Sequence, residues 1–250
     1  MNAGVTVSFI VFALFVGVFY YSGARFKQTG KFSARKFEAL GKMEEAIGRA
    51  TEMGKPVHWS YGMGAFDAQY LAAFVLLEYA ASLCAKYDTR MIVSIALPEV
   101  VPMTEEVIRK AYIEQGKLDT LHTEDVRFWG GSHNPAMIGT ISREQVAGNF
   151  MIGSLFHESI LSIEAAARYN AIQVMGTQNT HQLPFIAAGC DAIFIGAEMF
   201  AAAAQLEPTP VRVGSVWAAD VLNVVFVGLM IIGALLVTAG NTSLKTLILK

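Results

Sequence analysis

Two long uncharged stretches, one near each end of the chain, constrain this sequence more than any other feature. The first covers residues 1–21 and has no charged side chain, and the second covers residues 216–238 with Asp220 as its only charge. An α-helix rises about 1.5 Å per residue, so either stretch can cross the roughly 30 Å hydrocarbon layer of a membrane. We therefore predict two transmembrane helices that bracket one middle segment.

The first stretch could instead be a signal peptide that is removed. Such a peptide has a basic region before its apolar core and small residues at its cleavage site. No basic residue precedes Val5, and the stretch is followed by SGARFKQTGKF. These features favour an uncleaved anchor.

Basic residues beside the first stretch predict the orientation in the membrane. Five of them come before the first acidic residue, Glu38, and they are Arg25, Lys27, Lys31, Arg35 and Lys36. Basic flanks stay on the cytoplasmic side. Tyr20, Tyr21 and Trp217 lie where interfacial aromatic residues are common. We predict a cell-membrane protein whose middle segment is cytoplasmic; two lysines in the tail oppose this only weakly.

The domain organisation follows from these stretches. We assign residues 1–24 to an anchor and its flank, 25–36 to a basic linker, 37–213 to a cytoplasmic domain, 214–239 to a transmembrane helix and 240–250 to a short tail. The formal net charge of −2 does not indicate nucleic-acid binding. Cys84 and Cys190 lie far apart in apolar contexts, which is typical of buried, reduced thiols.

Short strand-like and longer helix-like segments alternate through the middle of the chain. The predicted strands cover residues 55–61, 89–97, 124–130, 170–176 and 190–196, and the predicted helices cover residues 37–53, 66–87, 103–117, 143–169 and 197–206. The strands read as apolar on both faces, which predicts a buried parallel sheet. The fold class is therefore α/β, a doubly wound, mainly parallel Rossmann-like sheet flanked by the two transmembrane helices.

Residues 66–87 are so apolar that they could form a third membrane span. Their uncharged core, residues 70–77, is too short to cross, so a buried central helix is favoured. Because a monomer rarely buries a helix on all sides, we expect this helix, and that of residues 149–167, to meet another subunit, a membrane-protein partner or the lipid bilayer. In the spans, Ala13 and Gly17 are a loose match to a small-residue contact motif.

The segment HWSYGMGAFDAQ at residues 58–69 could be a dinucleotide-binding turn or a helix-capping turn. Gly62 and Gly64 match the first two glycines of the dinucleotide motif, but Asp67 replaces the third. A carboxylate there suits the start of a helix and would repel a phosphate. We therefore favour the capping interpretation, although both glycines stay candidates for ligand binding.

A site would assemble where the parallel strands end, and two loops there are unusually polar. We predict that a small polar or anionic ligand would contact His133 and Asn134 in one loop and Thr177, Gln178, Asn179 and His181 in the other, together with Gly62, Gly64 and Glu198. The alternative is that these residues only form turns and caps, and that Glu198 only stabilises the start of its helix.

Specific catalytic patterns are incomplete in this sequence. His157 and Glu158 are adjacent on a predicted helix, so they point about 100° apart and do not form a dyad. No HExxH motif, paired cysteines or G-x-S-x-G motif occurs. We therefore predict no metal site, and the sequence identifies neither a cofactor nor a catalytic residue.

Three long segments suggest a family. Residues 44–62, residues 156–206 and the flanking anchors resemble an uncharacterised prokaryotic family of membrane-anchored proteins, with QLPF, GCD and IGAE between Gln182 and Glu198 as the most specific part. The resemblance implies membrane attachment but no activity. Two hypotheses follow: a self-associating membrane scaffold or accessory subunit, which the apolar helices favour, or a ligand-binding sensor or enzyme in which His133, His181 and Glu198 converge.

Overall fold

The protein comprises two compact units, which the computed structural model describes over residues 3–30 and 36–238. One unit contains residues 1–33 and 208–250, and the other contains residues 34–207. The predicted tail, including Lys245 and Lys250, and the basic residues Lys31 and Arg35 lie outside the described residues.

The first unit is a pair of long helices. Helix α1 covers Ala3–Thr29 and helix α9 covers Pro210–Thr238, and the two pack against each other. Their close approach needs Gly214, because a Cβ there would lie 2.9 Å from the Phe19 carbonyl oxygen. Gly17, which we singled out as a contact residue, has no atom of the described chain within 4 Å of such a Cβ. Gly17 therefore does not supply the close approach of the two helices.

The second unit is a parallel sheet covered by helices on both faces. Its strands are β1 (Val57–Ser60), β2 (Met91–Ile95), β3 (Val126–Phe128), β4 (Gly148–Ile152), β5 (Ile172–Thr177) and β6 (Ala192–Ile195). Its helices are α2 (Glu38–Met53), α3 (Ala68–Lys86), α4 (Val101–Glu114), α5 (His133–Glu144), α6 (Glu158–Ala167), α7 (Leu183–Gly189) and α8 (Glu198–Leu206).

All described strand pairs are parallel, and the strand order is β3-β2-β1-β4-β5-β6. The chain leaves β1 toward one edge for β2 and β3, then returns to the other side of β1 for β4. This order is that of the doubly wound dinucleotide-binding fold, whose ligands bind where the order reverses. The predicted fold class is confirmed, and the reversal lies between β1 and β4.

One predicted helix was wrong, because residues 143–169 contain a strand. Helix α5 ends near Gln145, which takes a left-handed conformation with φ of 48° and turns the chain into β4. Helix α6 starts only at Glu158. The apolar run of β4 is therefore central sheet, and it does not supply the helix surface that we expected to meet a partner.

Helix α3 is buried by its own chain. It packs against α2, α4 and α8 as well as the sheet, and 67% of its most apolar 18-residue stretch is buried. The prediction of a central buried helix is confirmed. The expected second surface is supplied by neighbouring helices, so α3 gives no support for self-association.

The two faces of the sheet differ in chemistry. One face, which we call the apolar face, packs against α2, α3, α4 and α8 through alternate strand residues; they include Val57, Trp59, Val93, Ile95, Phe150, Val174 and Phe194. The other face packs against α5, α6 and α7, and its residues include Met151 and Met175 but also buried polar side chains. The expectation that the strands are apolar on both faces was therefore wrong.

The cysteines also differ from one another. Burial raises the pKa of the Cys84 thiol, and Cys84 is fully enclosed. Cys190 is only half-buried, against our expectation, and desolvation raises its pKa to about 12. Both thiols are free and protonated at neutral pH.

Candidate functional site

Four buried polar side chains form a continuous row across the second face of the sheet. His58 stands opposite Asn149, and Asn149 stands opposite Gln173, in the strand register. The His58 Nδ1 and Asn149 Oδ1 atoms are 2.9 Å apart, and Asn149 Nδ2 donates to Gln173 Oε1 at 3.2 Å. Ser94 Oγ lies 3.0 Å from His58 Nε2. We call Ser94, His58, Asn149 and Gln173 the polar row.

The charge state of His58 follows from its burial. Desolvation lowers its pKa from 6.5 to about 4, because the charged imidazolium would lose its hydration. The neutral ring has one donor and one acceptor nitrogen. Nδ1 therefore donates to the Asn149 carbonyl oxygen, and Nε2 accepts from the Ser94 hydroxyl, so the polar row is satisfied at neutral pH.

A second histidine lies where β1 ends. Ser60 follows His58 on the same face, and its Oγ lies 3.2 Å from His133 Nε2. His133 is the first residue of α5 and is fully buried. Burial lowers the pKa of His133, while the charge of Glu158 and the carbonyl of Ile95 oppose that shift. The ring is therefore neutral at pH 7.

A fully buried carboxylate lies beside this histidine. Glu158 begins α6, and its Oε1 accepts hydrogen bonds from the backbone N–H groups of Met63 at 3.0 Å and Phe156 at 2.9 Å. The position at a helix N-terminus also stabilises a negative charge. Glu158 thereby joins the loop after β1 to the loop after β4, at the point where the strand order reverses.

Several buried polar atoms around the starts of α5 and α6 have no hydrogen-bond partner within the described chain. They are His133 Nδ1, Glu158 Oε2, Asn134 Oδ1 and Trp129 Nε1. Leaving a buried polar atom unpaired costs roughly 1–3 kcal/mol, and such groups are rare. Two of the four atoms belong to the completely buried residues His133 and Glu158. We call these four residues the switch-point cluster.

The predicted glycines serve the packing of this region. A Cβ on Gly62 would lie 2.7 Å from the Ser154 carbonyl oxygen, and one on Gly64 would overlap the Ser154 side chain. The Gly64 N–H also donates to the Ser154 carbonyl at 3.0 Å. The loop after β4 thus fills the space beside both glycines. Asp67 caps α3 by accepting from the Gln69 N–H at 2.8 Å, which confirms the capping interpretation.

The second polar loop is also engaged by its own chain. Gln69 Oε1 accepts from the Thr177 hydroxyl at 3.0 Å and from the Gln178 N–H at 2.7 Å. Asn179 Nδ2 donates to the Leu155 carbonyl at 2.7 Å. His181 is exposed, with its ring 5.8 Å from that of Phe156. These contacts hold the loops after β1, β4 and β5 together.

Three residues that we expected to converge are instead spread along the edge. His133 bonds to Ser60 of β1, whereas His181 follows β5 and Glu198 follows β6. Strands β1 and β6 are three positions apart, which is roughly 14 Å at the usual strand spacing. Glu198 Oε2 accepts from the Ile195 N–H at 3.0 Å. The structure brings His133 together with Glu158 rather than with Glu198.

Sequence reasoning missed Ser60 and Glu158 as members of the site. His157 and Glu158 do point in different directions, as predicted: His157 is exposed, with Nε2 3.2 Å from Asn134 Nδ2, while Glu158 is buried. The available signal was the alternation of polar His58, apolar Trp59 and polar Ser60 in a predicted strand, which places His58 and Ser60 on the same face. Within the described residues, no group of three or more His, Cys, Asp or Glu side chains could hold a metal ion.

Comparison with known proteins places the whole chain in one family. A family model described as a domain of unknown function, DUF6754, matches residues 1–248. The chain belongs to the DUF6754 family. No curated protein and no solved structure matches it. Membership of DUF6754 agrees with the resemblance to an uncharacterised family, and it covers both units described above. The family assigns no activity, so function must be argued from the switch-point cluster.

Proposed function

We propose that this protein is a membrane-anchored domain that binds a small molecule carrying amine or hydroxyl groups at the switch-point cluster. The observation that carries the proposal is the Glu158 carboxylate, which is fully buried and has one oxygen with no partner in the described chain. It lies beside the buried, neutral ring of His133.

The chemistry of the cluster selects the kind of ligand. Glu158 Oε2 and Asn134 Oδ1 accept hydrogen bonds, and Trp129 Nε1 donates one. A cationic amine or a hydroxyl would satisfy Glu158, whereas a phosphate or carboxylate would be repelled. A neutral or cationic ligand is therefore favoured over the anionic ligand that the sequence left open.

Membrane attachment is part of the proposal. Residues Pro210–Leu235 form a helix with mean hydropathy of 2.2, of which only 6% is buried. Ala68–Lys86 is also long and apolar enough to cross a membrane, but it is the buried core helix α3. Tyr20, Tyr21 and Trp217 are all exposed, as interfacial aromatic residues would be. An anchor built from α1 and α9, with the α/β domain in the cytoplasm, accounts for these features.

The scaffold hypothesis has lost its main argument. It depended on apolar helix surfaces without partners, and α3 is covered by α4 and α8. The other segment is divided between strand β4 and the shorter helix α6, which packs against α5 and α7. Self-association and a membrane-protein partner stay predictions.

The test is to ask what the purified protein carries. The full-length chain is extracted in detergent and denatured, and the released small molecules are identified by mass spectrometry. We expect a molecule with amine or hydroxyl groups, and a tenfold or greater loss in Glu158→Gln, because about 1.5–3 kcal/mol of charge-assisted hydrogen bonding is removed.

The matched control is Glu198→Gln. Glu198 also begins a helix and also accepts a backbone N–H, but it lies at the edge strand outside the cluster. This variant should retain the molecule. His133→Gln serves as a second variant if Glu158→Gln fails to fold. A wild-type protein that releases no such molecule, or a Glu158→Gln variant that retains it in full, would contradict the proposal.

A further inference from the structure

A cavity lies at the opposite edge of the sheet from the switch-point cluster. It has a volume of about 450 Å³ and lies between the end of α3, helix α4 and the beginnings of β2 and β3. Pockets for small molecules are usually about 300–1,000 Å³. The cavity, which we call the amino-edge cavity, is therefore large enough for one small ligand.

The floor of the amino-edge cavity is mostly apolar. Its apolar lining consists of Cys84, Met91, Ile108, Leu121 and Val126. Because burial raises the pKa of Cys84, the thiol is protonated and unreactive, so it contributes an apolar surface rather than a nucleophile. Such a lining favours a flat or compact ring system over a flexible polar chain.

The charges at this cavity neutralise one another. Arg90 makes a two-pronged ion pair with Asp125, at 2.6 Å from Nε to Oδ2 and 2.7 Å from Nη2 to Oδ1. Lys117 Nζ lies 2.8 Å from Asp88 Oδ1. Each lining charge thus has an opposite partner in the wall, and a charged ligand would have to displace one of them. The lining therefore favours an uncharged ligand.

One polar group in the lining is free for a ligand. Tyr112 is only 5% exposed, and its hydroxyl has no hydrogen-bond partner among the residues that the structure describes. The groups whose charges act on this phenol are Cys84, Asp125 and Asp88, which all line the cavity. Burial raises the pKa of Tyr112, so the hydroxyl keeps its proton and can donate it in a hydrogen bond.

We infer that the amino-edge cavity binds an uncharged, ring-containing molecule that accepts a hydrogen bond from the Tyr112 hydroxyl. The ring contacts Ile108, Leu121 and the other apolar side chains, and its acceptor atom meets the phenol. This site is separate from the switch-point cluster and does not depend on the function proposed for it.

Two probes of matched shape separate the hydrogen bond from simple apolar binding. Quinoline has a ring nitrogen that accepts a hydrogen bond, and naphthalene has nearly the same shape without it. Each is titrated into the full-length protein in detergent while the methyl resonances of Ile108 and Met91 are followed by NMR. Signals from the cavity wall report binding there, independently of probe dissolved in the detergent.

We expect saturable shifts with both probes in the wild type. Tyr112→Phe should weaken quinoline about threefold to tenfold, which is the loss of one neutral hydrogen bond, and leave naphthalene unchanged. Equal weakening of both probes, or of neither, would overturn the assigned role of Tyr112. The absence of a saturable shift with either probe in the wild type would overturn the site itself.

A cavity-filling variant provides the second test. Leu121 is a half-buried lining residue, and Leu121→Trp should fill the space and abolish binding of both probes. The control is Leu118→Trp, since Leu118 is exposed and does not line the cavity. Binding retained in Leu121→Trp would contradict the inference.

Discussion

The two faces of the sheet in this protein are stabilised by different kinds of interaction. The apolar face buries side chains such as Trp59, Phe150 and Phe194 against four helices, and its stability comes from excluded water and close packing. The opposite face carries the polar row, in which each buried group needs a particular partner. Apolar contacts tolerate substitution by similar volumes, whereas a hydrogen-bonded row fixes identity and register. The polar face leads directly to the switch-point cluster.

The largest effect should come from the apolar face. Phe150→Ala should lower the free energy of unfolding by about 3–5 kcal/mol, because it removes a fully buried ring and leaves a cavity. Phe150 lies 6.3 Å from Trp59, centroid to centroid, so indole fluorescence during chemical denaturation of the full chain reports the change. Phe150→Leu is the control and should cost much less. Equal losses for the two variants would mean that this face is not packed as described.

On the polar face, the loss of both partners of a hydrogen bond should cost less than the sum of the two single losses. Asn149→Ala should cost about 3 kcal/mol, because His58, Ser162 and Gln173 each lose a hydrogen bond to its amide. When His58→Leu is added to Asn149→Leu, the total loss should be smaller than the sum of the two single losses by about 1 kcal/mol or more. Additive losses in denaturant titrations would show that the two residues are not coupled.

The fold was largely predictable because the apolar residues of most strands and helices recur at the spacing that is typical of that element. The exceptions were most of α5, which lies outside the predicted helices, and β4. The β4 residues GNFMI form a short apolar run, which periodicity alone does not distinguish from buried helix. The turn before it uses Gln145 in a left-handed conformation, where a glycine would have signalled the end of a helix. Without that signal, the last two residues of α5, all of β4 and all of α6 were predicted as one long helix over residues 143–169.

The site was less predictable than the fold because it depends on strand order. His58, Asn149 and Gln173 are far apart in sequence and meet only because β4 lies between β1 and β5. The predicted polar residues Thr177 and Asn179 do lie at this edge, but they hold neighbouring loops. Glu158 stood in a segment predicted to be mid-helix, where a carboxylate usually faces solvent. Its burial follows from its actual position at the start of α6.

Acid should weaken the polar face selectively. The folded-state pKa of His58 is about 4, below its ordinary value of 6.5, so only the unfolded chain binds a proton between these values. The free energy of unfolding should therefore fall as pH drops from 6.5 toward 4, by up to about 1.4 kcal/mol per pH unit for this residue. His133 is shifted in the same direction and adds to the slope. His58→Gln should flatten the dependence in denaturation measured across this range.

The control for that experiment is His181, an exposed histidine in the loop after β5. His181→Gln leaves the polar row intact and shows how the same substitution at an exposed position affects the denaturation curves. A slope that is the same in His58→Gln and wild type would show that His58 does not remain neutral on folding.

The smallest effects should still distinguish two serines on the polar face. Ser94 and Ser162 are both fully buried, and each bonds to one member of the polar row. Ser94→Ala removes the only described partner of His58 Nε2 and should cost about 1–3 kcal/mol. Ser162→Ala should cost only about 0.5–1 kcal/mol, because the Asn149 amide still donates to Gln173. Denaturant titration of the two variants tests this order. If Ser162→Ala costs as much as Ser94→Ala, the loss of stability depends only on removing a buried hydroxyl. The particular hydrogen-bond partners, which distinguish this face from the apolar face, would then not determine the loss.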